Sequence, residues 1–187
     1  MIHELREYRI QPEAWPVYWK LFNQVCMPIR GEEFGRLRGM WTEMDSRQVR
    51  FFHLWEYASL DDRTRLRMAL LNKPGWRDSF LAKAAPQIHK QHLRVLNPLR
   101  VADDLMAQGD EVHLVRYGCE VGRANEFRQR FEESGVEAHA LWGMEFPDPN
   151  QVVVLTSMGD VALSADAESC LQCTEVTRLK PLALEIG

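Results

Sequence analysis

Apolar and polar residues alternate from Glu4 to Ile10 and again from Val112 to Gly118, the period of a half-buried strand. After the first stretch, Trp15, Trp19, Phe22 and Cys26 recur at helical spacing, and Pro28 is expected to end that helix. After the second, Ala124, Phe127 and Phe131 make a similar stripe, with Gly135 as its stop. Two strands are expected behind each helix: Leu37 to Glu43 with Val49 to Tyr57, and His139 to Phe146 with Val152 to Ser157. The segments between them, DSRQ at 45–48 and PDPN at 147–150, suit hairpin turns. Ser59, with Asp62 three residues on, caps a second helix in the first half. Pro74 opens a further short helix that carries Trp76 and Phe80, whereas the second half keeps only SADAESCLQC, read as a helix that closes on its cysteines. Each half finishes on an extended phrase, HLRVLNPL at 92–99 and EVTRLKPL at 175–182.

The order β-α-β-β-α-β is thus written twice, the signature of a ferredoxin-like unit. Sparse identities fall in the same order in both halves: Leu5 with Leu114, Tyr8 with Tyr117, Phe22 with Phe131, Trp41 with Trp142. The expected fold class is α+β: two tandem ferredoxin-like (βαββαβ) units forming a pseudo-dimeric α/β barrel. The first unit covers residues 1–99, and a diverged, shortened second unit covers 111–187, with 100–110 as linker. A sheet with helices on one face needs cover on the other, and two units in one chain can supply it for each other.

Composition adds bounds. The 187 residues are 45% hydrophobic and 27% charged, ordinary for a globular chain. No apolar run approaches the length of a membrane span, and the charged start MIHELREYRI has no signal-peptide character, so a cytoplasmic protein without a membrane partner is expected. Residues 1–98 carry a net charge of +5 and residues 99–187 one of −9, which suits halves that recognise each other. The arginines are scattered, so a nucleic-acid partner is not expected. Cys170 and Cys173 have a suggestive spacing but no second pair, and Cys26 and Cys119 stand apart, so ordinary thiols are expected. His89 and His92 lack a local carboxylate or cysteine, and no metal site is expected. Nothing singles out a haem ligand, although His53 or His92 could serve. Phosphate-cradling glycine loops and a nucleophile elbow are absent from the sequence, and no cofactor is expected.

The first half resembles the NIPSNAP family. ELREYRIQP, then Gly39-Met40-Trp41, then His53-Leu54-Trp55-Glu56-Tyr57 with Ser59-Leu60 and Arg63 carry the resemblance, over roughly residues 1–99. The second half has Leu155-Thr156-Ser157-Met158 where the signature would stand. The resemblance implies a dimeric α/β-barrel fold and no defined activity. The wider superfamily includes cofactor-free oxygenases, small isomerases and haem enzymes, a kinship of fold rather than of chemistry.

Alternation along the strands nominates a site. Glu4, Arg6 and Tyr8 share one face of the first strand; Phe51, His53, Trp55 and Tyr57 share one face of the third; His92, Arg94 and Leu96 share one face of the last. With the strand order 4-1-3-2 of this fold, Arg6, Tyr8, Trp55 and Arg94 are expected to bind a small organic ligand on the open side of the sheet, in the barrel lumen. His53 would be the proton-transfer group. Such a site suits a small-molecule binder, with a cofactor-independent monooxygenase or isomerase as its enzymatic form. The competing expectation is a scaffold protein whose tryptophans are core, with Arg6 merely paired to Glu4 and His53 a satisfied core histidine. A homodimer is possible under either, with Trp76 and Phe80 docking on the neighbour.

Overall fold

The computed structural model describes residues 1–43, 47–106 and 109–185. Of the expected features, residues 45 and 46 of the first turn, 107 and 108 of the linker, and the last two residues of the second unit lie outside the described residues. The chain divides into two compact units.

The first unit comprises residues 1–93 together with the chain from Leu182 onward. Its elements are β1 (Ile2–Ile10), α1 (Trp15–Leu21), a π-helical segment (Phe22–Cys26), α2 (Met27–Arg30), β2 (Arg36–Glu43), β3 (Val49–Tyr57), α3 (Leu60–Leu70), a second π-helical segment (Trp76–Leu81), α4 (Ala82–Ala84), a 3-10 turn (Ala85–Gln87) and the start of β4 (Ile88–Val101). The strand order is β4-β1-β3-β2. β1 and β3 are antiparallel with Arg6 opposite His53 and Tyr8 opposite Phe51, so these four side chains lie on one face. Phe51 and His53 touch Phe22, and Phe51 also meets Trp15, Tyr18 and Trp19, so this is the face the helices cover. The opposite face carries Leu5, Phe52 and Leu54. It also holds two charge groups, Arg50 between Glu7 and Glu43, and Glu56 beside Arg38 and His3.

Pro28 does not end the first helix. The turn ahead of it is π-helical, and the chain continues as α2 through Pro28 to Arg30. Pro28 therefore sits at the seam between two hydrogen-bonding patterns, where a missing N–H costs least. Gly31, at φ 51°, makes the actual stop. The cap of α3 is as expected: Ser59 Oγ accepts from the Asp62 N–H at 3.0 Å, while the Asp62 carboxylate accepts from the Ala58 N–H. β2 bulges between Leu37 and Gly39, and Trp41 folds its ring back over the Gly39 backbone. Near the end of the chain, the Leu182 N–H bonds the Met40 carbonyl, and Glu185 accepts from Trp19 Nε1 and donates its N–H to Asn23 Oδ1.

The second unit, residues 94–181, takes the end of β4, then β5 (Val112–Cys119), α5 (Ala124–Glu133), β6 (Ala140–Phe146), β7 (Gln151–Thr156), α6 (Ala165–Glu168) and β8 (Leu171–Pro181). Its strand order is β8-β5-β7-β6, with the end of β4 beside β6. Phe127 and Phe131 of α5 pack with Tyr117, Val152 and Val154. The short helix ends earlier than expected. Only Cys170 follows it, buried, whereas Cys173 lies in β8, exposed. Each unit is thus a mixed α+β, ferredoxin-like arrangement. Among the described residues no helix is long and apolar enough to cross a membrane.

Candidate functional site

A cavity of about 390 Å³ opens in the first unit between the sheet and its helices. Arg6, Tyr8, His53 and Trp55 form its floor. The residues nominated for the open side of the sheet therefore face its helices instead. The physical reason is the helix stripe: Tyr18 and Phe22 need an apolar, aromatic partner, and the face with Phe51, His53 and Trp55 supplies it better than the face with Glu7, Arg50 and Glu56. Arg94 is buried but is not among the residues that line the cavity, and it belongs to the second unit.

Both π-helical segments contribute walls, Phe22 and Cys26 from one, Trp76 and Phe80 from the other. Wide helical turns of this kind recur at functional sites because they re-aim side chains. Trp76 and Phe80 are packed on each other at 4.8 Å and buried, so they belong to this wall and offer no surface for a neighbour. Leu70 and Leu71 continue the apolar side, while Arg63, Arg67 and Met68 stand on the more exposed rim along α3. Gln91 of β4 donates to the Tyr8 hydroxyl at 3.2 Å, and Arg6 Nη1 donates to the same oxygen at 3.4 Å.

Glu4 continues the row of Arg6 and Tyr8 on this same face, opposite Trp55 and fully buried, and it does pair with Arg6, as the scaffold reading expected. The pair is part of a larger cluster, because Glu4 also holds Arg63 and approaches Arg67 at 3.9 Å. Burial pushes the Glu4 carboxyl up, but Arg6 and Arg63 outweigh it and hold it below its usual range, ionised at neutral pH. Arg30 is a further buried guanidinium. Its Nη2 donates to the Phe34 carbonyl and the Tyr57 hydroxyl, both at 2.7 Å, and its plane lies 3.5 Å from the Trp55 ring centre. Its Nε–H is buried without a partner.

His53 is the most constrained group. Trp55 Nε1–H donates to His53 Nδ1 at 2.6 Å, and Tyr8, Phe22 and Phe51 enclose the ring. Burial, then Arg6 and Arg30, hold its pKa well below the usual histidine value, so the imidazole is neutral. With Nδ1 occupied as an acceptor, the one proton sits on Nε2. That Nε2–H is buried and has no partner. Geometry thus makes His53 a hydrogen-bond donor, and among the described residues no carboxylate lines the cavity to act as base. Cys26 is no nucleophile either, since burial pushes its thiol up to about 12.

Of the residues nominated from sequence, Arg6, Tyr8, His53 and Trp55 come together and Arg94 does not. Arg30, Arg63 and Arg67 were missed as a group. Arg30 fell beyond the helix end assigned to Pro28, whereas the i, i+4 spacing of Arg63 and Arg67 on α3 was a readable signal. His89 and His92, three apart in β4, alternate to opposite faces, and among the described residues no cluster of three metal-ligating side chains occurs.

These features can be set beside known proteins. A profile of the NIPSNAP family matches residues 3–103. Protein NipSnap of Drosophila melanogaster is 32% identical over 97 residues, and NipSnap homolog 1 of Danio rerio is 30% identical over 101. Each alignment covers 52% of this chain and 34% of the relative, so the chain spans about a third of the length of the curated relatives it matches. A crystal structure from Agrobacterium tumefaciens matches at 30% identity and a TM-score of 0.51, over 56% of this chain and all of that one. A provisionally assigned monooxygenase from Fusobacterium nucleatum matches 97% of this chain and 92% of its own, with a TM-score of 0.66 at 11% identity. That likeness speaks to fold alone, and the fold is the α+β, ferredoxin-like architecture of the dimeric α/β-barrel class. With the family profile matched over more than half of its length, the chain belongs to the NIPSNAP family.

Proposed function

We propose that the first unit binds a small organic molecule in the cavity between its sheet and its helices. The observation that carries this reading is the cavity itself. A filled core at this place would have closed over the aromatic floor, yet about 390 Å³ remains beside two π-helical turns. Interiors are normally packed without voids of this size, and the volume lies within the range of ligand sites. It favours binding over the scaffold reading, in which the tryptophans would be packed throughout.

Binding is supported better than proton-transfer catalysis. His53 has its acceptor nitrogen occupied, and Arg6, Tyr8 and Trp55 position and stack rather than take protons. In an oxygenase or isomerase form, His53 would steady an oxyanion through Nε2–H, and the base would have to come with the substrate. The fold neighbours described as monooxygenases add only a likeness of architecture.

The test is a thermal-shift screen of small organic molecules on the whole chain, followed by tryptophan fluorescence, since Trp55 and Trp76 line the cavity. A true ligand at a hundredfold excess over its Kd stabilises by about 2.7 kcal/mol. Ala84, a buried lining residue, offers the control: Ala84→Phe fills the space and is expected to abolish the shift. A ligand that stabilises both proteins equally would place binding elsewhere and overturn the reading.

A further inference from the structure

We propose that the ligand of this cavity is an organic anion, a carboxylate on a flat apolar or aromatic body, with its head seated on His53 Nε2–H and Arg30 Nε–H. This inference rests on the cavity being a ligand site.

Three observations carry it. The first is the pair of orphan donors. His53 Nε2 and Arg30 Nε are both buried, both on lining residues, and both without a hydrogen-bond partner. A buried donor left unmade is costly, so native structures rarely keep one, and two in one cavity mark where an acceptor belongs. The second is charge. Among the described residues four guanidiniums line the cavity, Arg6, Arg30, Arg63 and Arg67, and no carboxylate does. Glu4, on the same face of the sheet beside Trp55, meets Arg6, Arg63 and Arg67 and leaves Arg30 to uncharged partners. Some repulsion remains among them: burial, then Arg6, lowers the pKa of Arg67, and burial lowers that of Arg30, with Tyr57 opposing and Arg6 adding to it. At Arg6, by contrast, burial is outweighed by Tyr8 and Glu4, which hold it above its usual value. A cationic ligand would add to this repulsion, and a neutral one would leave it. A carboxylate relieves it and accepts both orphan protons at once, one oxygen for each.

The third is the remaining wall. Phe22, Trp76, Phe80, Leu70 and Leu71 are apolar, so the body of the ligand meets carbon rather than charge. The donors on the floor and this apolar wall together describe an amphipathic acid. Arg63 and Arg67, on the rim, attract it from solvent.

The experiment compares cinnamate with cinnamamide by calorimetry on the full chain, at low and at high salt. The acid is expected to bind at least tenfold tighter than the amide, and more weakly at high salt. Arg67→Gln, at a half-exposed rim position that loses only a long contact with Glu4, is expected to weaken the acid severalfold and the amide much less. Equal affinity for acid and amide, lost in Ala84→Phe, would overturn the anion assignment and leave the cavity as a neutral-ligand site. Binding of neither, with no hit in the wider screen, would overturn the site itself and this inference with it.

Discussion

His53 offers the sharpest prediction because its protonation state follows from two independent facts. Its ring is enclosed by aromatics, and its Nδ1 already accepts from Trp55. The folded protein therefore keeps it neutral, with a pKa well below the ordinary 6.5, through burial first and then Arg6 and Arg30. The unfolded chain does not. As pH falls past about 6.5, unfolded His53 takes up a proton that the folded protein refuses, so stability declines with falling pH until the depressed folded pKa is reached. Each unit of pH in that window removes about 1.4 kcal/mol, and the change from about pH 7 to about pH 5 sums to roughly 2 kcal/mol. The assay is urea unfolding of wild type and His53→Gln across this range. Glutamine retains a carbonyl for the Trp55 N–H, so the variant keeps the local bond. His3 and His139, also held down by burial, titrate in both proteins, and the difference between the two curves isolates His53. Parallel curves, within about 0.5 kcal/mol between the two extremes, would refute a neutral, proton-refusing His53 and with it the donor assigned to Nε2.

Glu4→Gln leaves Arg6 and Arg63 without their carboxylate in a buried setting and should cost about 3 kcal/mol in the same unfolding assay. Gly39→Ala would place a methyl group about 2.1 Å from a ring atom of Trp41. Trp41 is itself buried, so the ring cannot swing away, and a loss of about 2 kcal/mol with a changed near-ultraviolet tryptophan signal is expected. Of the four thiols, Cys173 alone is exposed and should react readily with an aromatic disulfide reagent in the native protein, while Cys26 reacts only on unfolding. Ser59→Ala removes the side-chain cap of α3 and should cost about 1 kcal/mol.

Much of this was legible in the order of the residues. The period-two runs of β1, β3 and β5, the stripes of α1 and α5 and the cap at Ser59 are local signals, and local structure follows them. Which face of the sheet the helices cover was not legible, because both faces of β3 are apolar enough to be buried: Phe51, His53 and Trp55 on one, Phe52 and Leu54 on the other. That choice depends on what Tyr18 and Phe22 pack against, a contact between segments some thirty residues apart. Arg6, Tyr8, His53 and Trp55 were brought together by alternation alone, since neighbouring strands turn matched positions to one side. Arg94 dropped out because Gln91 of β4 faces the cavity, and three residues further along the strand Arg94 turns to the opposite face. Arg30 stayed hidden behind Pro28, whose effect on the helix depends on the π turn before it.

The first unit is sewn from both ends of the chain, and its last stitches are Leu182 on Met40 and Glu185 on Trp19 and Asn23. The boundary along the gene is therefore not the boundary in space. A fragment cut after the stretch that the family profile matches would carry the cavity yet lack the segment that closes over α1 and the edge of β2, and it would expose the indole of Trp19 and the backbone carbonyl of Met40. Anyone isolating the cavity-bearing half should move the final residues to its new terminus, or circularly permute the chain, before blaming the cavity for a weak binder.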